Sequence, residues 1–289
     1  MQAFDYHAPQ SVPEALGLLR QYGDRARPMA GGTDILLFME GGKIAPENLV
    51  DLSRIPDLTE INYDPAHGLR LGALATMRDI ERSPVIRAHY PALTESTLEL
   101  AGVQIRNMAT IGGNTCNASP AADTIPALMA LDAVAVISGA DGERRVNYTA
   151  LFQGPGKTVI GQDELLTAIE LPPPAPHSGS HYIKLAIRKA MDIAIVGAGA
   201  SVTLDGDTVT DCRITLGAVG PTVVRAYDAE NLLRGNPLDE TPLNHVAAAA
   251  TAIANPISDQ RASAGYRKKM VGVLTRQVLL KAADIGRRS

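Results

Sequence analysis

The sequence predicts an α+β protein: an α/β region up to a proline run at Pro172, then an antiparallel sheet with covering helices. Three observations carry this reading. Helix and strand signatures alternate through the first part of the chain. Pro172-Pro173-Pro174-Ala175-Pro176 then interrupts it, and two long β-branched runs joined at Asp205-Gly206 precede a C-terminal stretch of helical period.

The elements follow in order. Ser11-Val12-Pro13-Glu14 is a helix start, with Ser11 as cap, Pro13 in the first turn and Glu14 able to reach back. Ala15, Leu16, Leu18, Leu19 and Tyr22 then place apolar surface on one side until Gly23 ends the helix. A short strand at Arg27-Pro28-Met29 leads into the Ala30-Gly31-Gly32 turn and a helix from Thr33 through Ile35, Leu36 and Met39 to Gly41-Gly42. Leu49-Leu52 and Leu69-Ala73 have strand composition, and Thr76-Met77-Arg78-Asp79 opens a short helix with capping-box spacing. Pro91 to Ala101 is expected to be helical and stopped by Gly102, with Gly112-Gly113 following as an extended, non-helical turn. Ser119-Pro120 then starts a helix over Ala121 to Leu131. Ala133 to Ser138 is a β run, turned at Asp141-Gly142 into Arg144 to Tyr148. The Pro172 run and His177-Ser178-Gly179-Ser180 mark a domain boundary, expected to be stiff, extended and exposed. Beyond it, Ala194 to Leu204 and Val209 to Val219 form a hairpin. Met270, Val273, Leu274, Val278 and Leu280 recur at helical spacing.

Bulk properties narrow the function classes. At 289 residues the chain buries ample core, and 45% apolar with 20% charged residues is the composition of an ordinary globule. Twenty-seven basic against 31 acidic side chains leave a net charge of -4, which offers no attraction to nucleic acid or anionic lipid. No apolar run is long enough to span a bilayer, and the start Met1-Gln2-Ala3-Phe4-Asp5 lacks a signal-peptide pattern, so a cytoplasmic location is expected. Cys116 and Cys212, the only cysteines, are too few for a disulfide framework or a four-thiolate iron–sulfur cluster. His177 and His181 lie in a Pro/Gly-rich linker with no third ligand near, so no metal is expected on this chain.

The candidate chemistry lies in two glycine pairs. Gly31-Gly32 sits between a strand and a helix start, and Gly112-Gly113-Asn114 follows far downstream. Paired glycines let backbone N–H groups approach an anionic ligand, a helix start favours negative charge, and Asn114 offers both a donor and an acceptor. Two such surfaces suit a ligand with a central diphosphate, a dinucleotide. A tight structural turn is the alternative for either pair. Asp34 and Asp123 are alternatively helix-start residues offsetting the dipole, and Lys184 an outward-facing cation. Ala194-Ile195-Val196-Gly197-Ala198-Gly199 imitates a Rossmann loop, but Ser201-Val202-Thr203-Leu204 continues as strand and the third glycine is missing. It is therefore a Gly-containing strand.

With these motifs, Val50-Asp51-Leu52, Ile105-Arg106-Asn107, Gly154-Pro155-Gly156-Lys157 and Lys184 through Ala194 in view, the chain resembles the FAD-binding medium subunit of the molybdenum hydroxylases. This is the xanthine dehydrogenase and carbon monoxide dehydrogenase type. The resemblance runs from Phe4 to the final helix. It implies two α/β subdomains clasping FAD, residues 1–55 and 56–175, and a C-terminal sheet with helices over 176–289. It further implies that Met29, Ala30, Gly31, Gly32, Thr33, Asp34 and Ile35 wrap the diphosphate together with Thr110, Ile111, Gly112, Gly113 and Asn114. Asp123 would bind a ribose or polyol hydroxyl, Leu100 and Leu166 would pack on the cofactor, Lys184 would supply a donor, and Asp192-Ile193 would lie near the flavin ring. No acid–base dyad is implied. The implied partners are a small iron–sulfur subunit and a large molybdenum-cofactor subunit, in a dimer of heterotrimers. NAD is one candidate acceptor for electrons leaving FAD. A self-contained flavin oxidase or dehydrogenase, and a cofactor-free scaffold of the same fold, are the competing readings.

Overall fold

The computed structural model describes residues 2–289. Its first sheet has three strands, β1 (Asp5–His7), β2 (Ala26–Met29) and β3 (Asn48–Asp51), in the order β1-β3-β2, and both neighbours run parallel to the buried β3. Helix α1 (Val12–Tyr22) starts where Ser11 Oγ accepts from Glu14 N at 3.3 Å, and it buries Ala15, Leu16 and Leu19. Helix α2 (Ile35–Glu40) connects β2 to β3 and leaves Leu36 and Leu37 exposed.

The second sheet is entirely antiparallel, in the order β4 (Ile61–Asp64), β5 (Gly68–Gly72), β10 (Leu165–Leu171), β6 (Val134–Gly139), β7 (Gly142–Asn147). Between β5 and β6 the chain forms six short helices: α3 (Met77–Arg82), α4 (Pro84–His89), α5 (Pro91–Glu99), α6 (Val103–Arg106), α7 (Ile111–Asn117) and α8 (Thr124–Ala130). After β7 come α9 (Tyr148–Leu151) and the small hairpin β8 (Phe152–Gly154) and β9 (Lys157–Thr158). The central position of β10 gives this sheet its core, where Leu69, Leu71, Ile111, Ile125, Ile137, Leu166 and Ile169 pack together.

The third sheet runs antiparallel through β11 (Ser178–Leu185), β12 (Val196–Asp205), β13 (Thr208–Gly217) and β14 (Val224–Arg225). Helices α10 (Tyr227–Leu233), α11 (Glu240–Ile253) and α12 (Ala264–Gly286) pack Leu233, Val246, Val271, Leu274 and Val278 into the core of this sheet. At Gly179 a Cβ would lie 2.1 Å from the carbonyl oxygen of Ala282, so only glycine lets α12 approach β11 this closely. The Rossmann-like Gly197 and Gly199 lie inside β12, and no helix follows the strand.

Several expectations change. Gly112-Gly113 is the first turn of α7, not an extended turn. Thr110 caps this helix by accepting from Gly113 N at 3.0 Å, and Thr115 Oγ1 bonds back to Ile111 O at 2.9 Å. Tertiary bonds override the poor helix propensity of glycine: Ile111 N and Gly112 N donate to Ala75 O and Ala73 O at 3.0 and 2.8 Å. The expected helix over Ala121 to Leu131 is shorter, because Asp123 rather than Ser119 stands at the start of α8. Helix α5 stops at Glu99, and Ala101, at φ 44°, turns the chain out of helical geometry before Gly102.

The third sheet packs directly on the helices of the second region. Thr215 Oγ1 donates to Pro126 O at 2.7 Å and Ala218 N to Pro120 O at 2.7 Å. A Cβ on Gly199 would lie 2.8 Å from that same Pro126 oxygen. Tyr182 packs with Ala92 and Ala127.

Candidate functional site

The two glycine segments meet. Gly31 lies so close to the loop before α7 that a Cβ there would fall 1.7 Å from the carbonyl oxygen of Met108, and a Cβ on Gly113 would face Ala30 Cβ at 3.8 Å. Each segment contributes differently. Gly32 holds φ 74°, the left-handed region that glycine adopts without strain, and this turns the chain from β2 into α2. Among the described residues, none accepts a hydrogen bond from the backbone N–H groups of Gly31, Gly32, Thr33 or Asp34. Four successive backbone donors just before α2 are thereby left unpaired, a donor set that fits a diphosphate.

On the other side, the first-turn N–H groups of α7 are already taken by Ala75 O, Ala73 O, Thr110 Oγ1 and, for Asn114, Thr110 O at 3.0 Å. The Cβ side of Gly112 faces protein. Its Cβ position lies 2.6 Å from Ala73 O and 2.7 Å from Ala73 Cβ, so this glycine exists to let α7 close on the end of β5. The polar group this segment presents is the side chain of Asn114. Its Oδ1 accepts from Thr124 Oγ1 at 2.6 Å, which orients its amide Nδ2 as a donor.

Thr124 links this edge to a buried charged cluster. Asp123, 7% exposed, accepts from Tyr182 OH at 2.8 Å on Oδ1 and from Lys184 Nζ at 3.0 Å on Oδ2. Lys184 Nζ also donates to Glu99 O at 3.0 Å, beside Leu100, and its side chain is only 3% exposed. Lys184 is therefore an inward, paired cation rather than an outward one. Burial pushes the Asp123 carboxyl up to about 6, with Lys184 and Tyr182 pulling the other way. Burial likewise raises the Tyr182 hydroxyl, so it stays a proton donor.

Asp192 closes the loop between β11 and β12. Its Oδ2 accepts from Ile187 N at 3.1 Å and Arg188 N at 2.9 Å, and its Oδ1 from Ile193 N at 2.9 Å. These backbone donors, that of Arg188 foremost, hold the carboxyl below its usual range. The loop rests against the α5–α6 connection: a Cβ on Gly102 would meet Met191 Sδ at 3.3 Å, and Ile193 is exposed. Leu100 is half-buried on the second core. Leu166 is 5% exposed within that core, whereas its neighbour Leu165 packs with Ala30 in the first region's core.

A run of contacts therefore leads from Gly31 and Gly113 through Asn114, Thr124 and Asp123 to Lys184, Leu100 and the Asp192 loop. Sequence reasoning missed Tyr182, although period two on β11 puts it on the same face as Lys184. It also missed Thr124, which lies next to Asp123. Among the described residues no cluster of His, Cys, Asp and Glu could hold a metal ion, and no helix is long and apolar enough to cross a membrane.

The parallel first region and the antiparallel second region meet at the two glycine segments, with four successive unpaired N–H groups on one side. Residues 2–174 match the family described as the FAD binding domain in molybdopterin dehydrogenase, and residues 181–282 match the CO dehydrogenase flavoprotein C-terminal domain. The chain is 39% identical over 281 residues to the carbon monoxide dehydrogenase medium chain of Afipia carboxidovorans, covering 97% of this chain and 96% of that one. It is 32% identical over 278 residues to the xanthine dehydrogenase FAD-binding subunit of Escherichia coli O157:H7, covering 96% and 95%. The carbon monoxide dehydrogenase structure from Hydrogenophaga pseudoflava matches with a TM-score of 0.95 at 35% identity, over 98% of both chains. The chain belongs to the FAD-binding medium subunits of the molybdenum hydroxylases. It is a flavoprotein oxidoreductase subunit, and FAD is its cofactor.

Proposed function

We propose that this chain relays electrons from the iron–sulfur clusters of a partner subunit to an external acceptor, substrate oxidation taking place on a third, molybdenum-bearing subunit. Relatives named as medium chains of dehydrogenases support this reading. Residues 1–55, 56–175 and 176–289 are the three units of the subunit, which works in a dimer of heterotrimers with NAD or another carrier as acceptor. FAD supplies the capacity to take up electrons and release them again.

The protein residues bind and orient. The N–H groups of Gly31 to Asp34 and Asn114 Nδ2 would hold the diphosphate, with Met29 and Ile35 flanking. Thr110 and Ile111 shape the opposite wall, Asp123 accepts from a sugar hydroxyl, Lys184 keeps Asp123 charged, and Leu100 with Asp192-Ile193 borders the ring. The run of free N–H donors at Gly32 carries this assignment. Titrating the flavin-free chain with FAD is the test: saturable binding that quenches flavin fluorescence is expected, and a full-length folded chain that takes up no FAD overturns the reading. In the assembled complex, reduction of the flavin should require the iron–sulfur subunit. Reduction by substrate in the isolated chain would overturn the relay.

A further inference from the structure

We propose that Tyr182 is a positioning residue for the cofactor, holding the Asp123 carboxylate from the third sheet in the one orientation that leaves its free lone pairs directed at a sugar hydroxyl. The inference rests on the reading of Asp123 as a cofactor-binding group.

Tyr182 is 4% exposed, and its hydroxyl has a single partner, Asp123 Oδ1 at 2.8 Å. The phenol is fixed from every side. Its ring packs between Ala92 of α5 and Ala127 of α8, its backbone N–H donates to Glu95 Oε2 at 2.9 Å, and a Cβ on Gly197 would lie 2.9 Å from its hydroxyl oxygen. Gly197 thus leaves the phenol its space, which gives the Rossmann-like glycine a local purpose unrelated to phosphate. Lys184 takes Asp123 Oδ2, so two donors two residues apart on β11 grip one carboxylate, each leaving lone pairs open for a third donor. Asp123 stands at the start of α8 without any capping hydrogen bond from its side chain, so α8 does not use the carboxylate. The charged and titratable groups around it are Lys184 and Tyr182 from β11 and Glu99 from α5.

The experiment compares FAD dissociation constants of the full flavin-free chain for Asp123→Asn, Tyr182→Phe and the double variant, measured across about pH 5 to 8. Tyr182→Phe keeps the packed ring, and circular dichroism with thermal melts checks its fold. The double variant should bind no worse than Asp123→Asn alone. Loss of one hydrogen bond to a charged group should weaken FAD binding about tenfold. The weakening on acidification should also begin at a higher pH in Tyr182→Phe, because a donor that favours the charged carboxylate is gone. A purely structural tyrosine leaves that pH profile in place. If Asp123→Asn weakens binding while Tyr182→Phe matches the parent in affinity and profile, the positioning role falls and the reading of Asp123 stands. If Asp123→Asn binds FAD like the parent, both fall. Should Tyr182→Phe melt far below the parent, Gly197→Ala is read in its place, since its methyl displaces the phenol without removing it; unchanged affinity and pH profile there overturn the proposal.

Discussion

Asp123 titrates against its surroundings: burial raises its carboxyl from 3.8 to about 6, more than Lys184 and Tyr182 lower it. The folded protein therefore holds this proton more tightly than the unfolded chain. The stability it contributes is full below 3.8 and is lost as the pH rises through about 6. In urea melts without FAD between about pH 4 and about pH 7, the parent should lose stability relative to Asp123→Asn as the pH rises; a constant difference would mean that Asp123 titrates normally. The glycines of the seam separate by the same single-residue logic. Gly32→Ala places a side chain at φ 74°, with its Cβ 3.2 Å from Leu36 Cδ1, and should cost ~1–2 kcal/mol while disturbing the unpaired donors proposed to hold the diphosphate. Gly112→Ala drives a methyl into the Ala73 backbone and should cost ~2–3 kcal/mol without touching the unpaired donors of residues 31–34. Paired measurements of melting temperature and FAD affinity decide it: Gly32→Ala should lose more affinity than its stability loss explains, and Gly112→Ala should not.

Elements defined by local signals were legible in the sequence. The Ser11 cap, the Thr76-Asp79 capping box and the Asp205-Gly206 turn all form where their residue types require, since each depends on neighbours a few residues apart. Helix α7 was not legible. Two of its first four N–H groups bond to Ala73 and Ala75, far upstream, and no window around Gly112 contains that information. The same holds for β10, inserted between β5 and β6 although it follows both in the chain. For the site, the two glycine segments were legible as a pair. Their different work was not: Gly31 and Gly112 permit close approach, whereas Gly32 permits a turn. Tertiary closeness also sets what α12 tolerates. Gly179→Ala must push β11 away from Ala282 and Gly286, and it should destabilise by ~2–3 kcal/mol in denaturant melts; a variant as stable as the parent would show that α12 and β11 are further apart than described.

At the scale of the molecule, the third sheet has little freedom to move as a separate body. Buried bonds from Thr215 to Pro126, Ala218 to Pro120, Lys184 to Asp123 and Tyr182 to Asp123 all cross from it to α8 and the turn before it. Arg213 and Arg225 add ion pairs to Asp132 at 3.4 and 3.9 Å. Breaking this contact strands a lysine that is 3% exposed and opens the apolar packing of Ala92, Ala127 and Tyr182, so opening is coupled to loss of both cores. The expected consequence is one cooperative thermal transition, even though the chain has three sheets. FAD should raise that transition as a whole. At a free concentration of about one hundred times Kd, a ligand that binds only the native state adds ~2.7 kcal/mol. For a chain of 289 residues this is a shift of about 4 °C. Differential scanning calorimetry with and without FAD measures it. Two resolved peaks, with only the lower one moved by FAD, would show that the third sheet unfolds independently and that the Lys184–Asp123 pair does not couple it to the cofactor region.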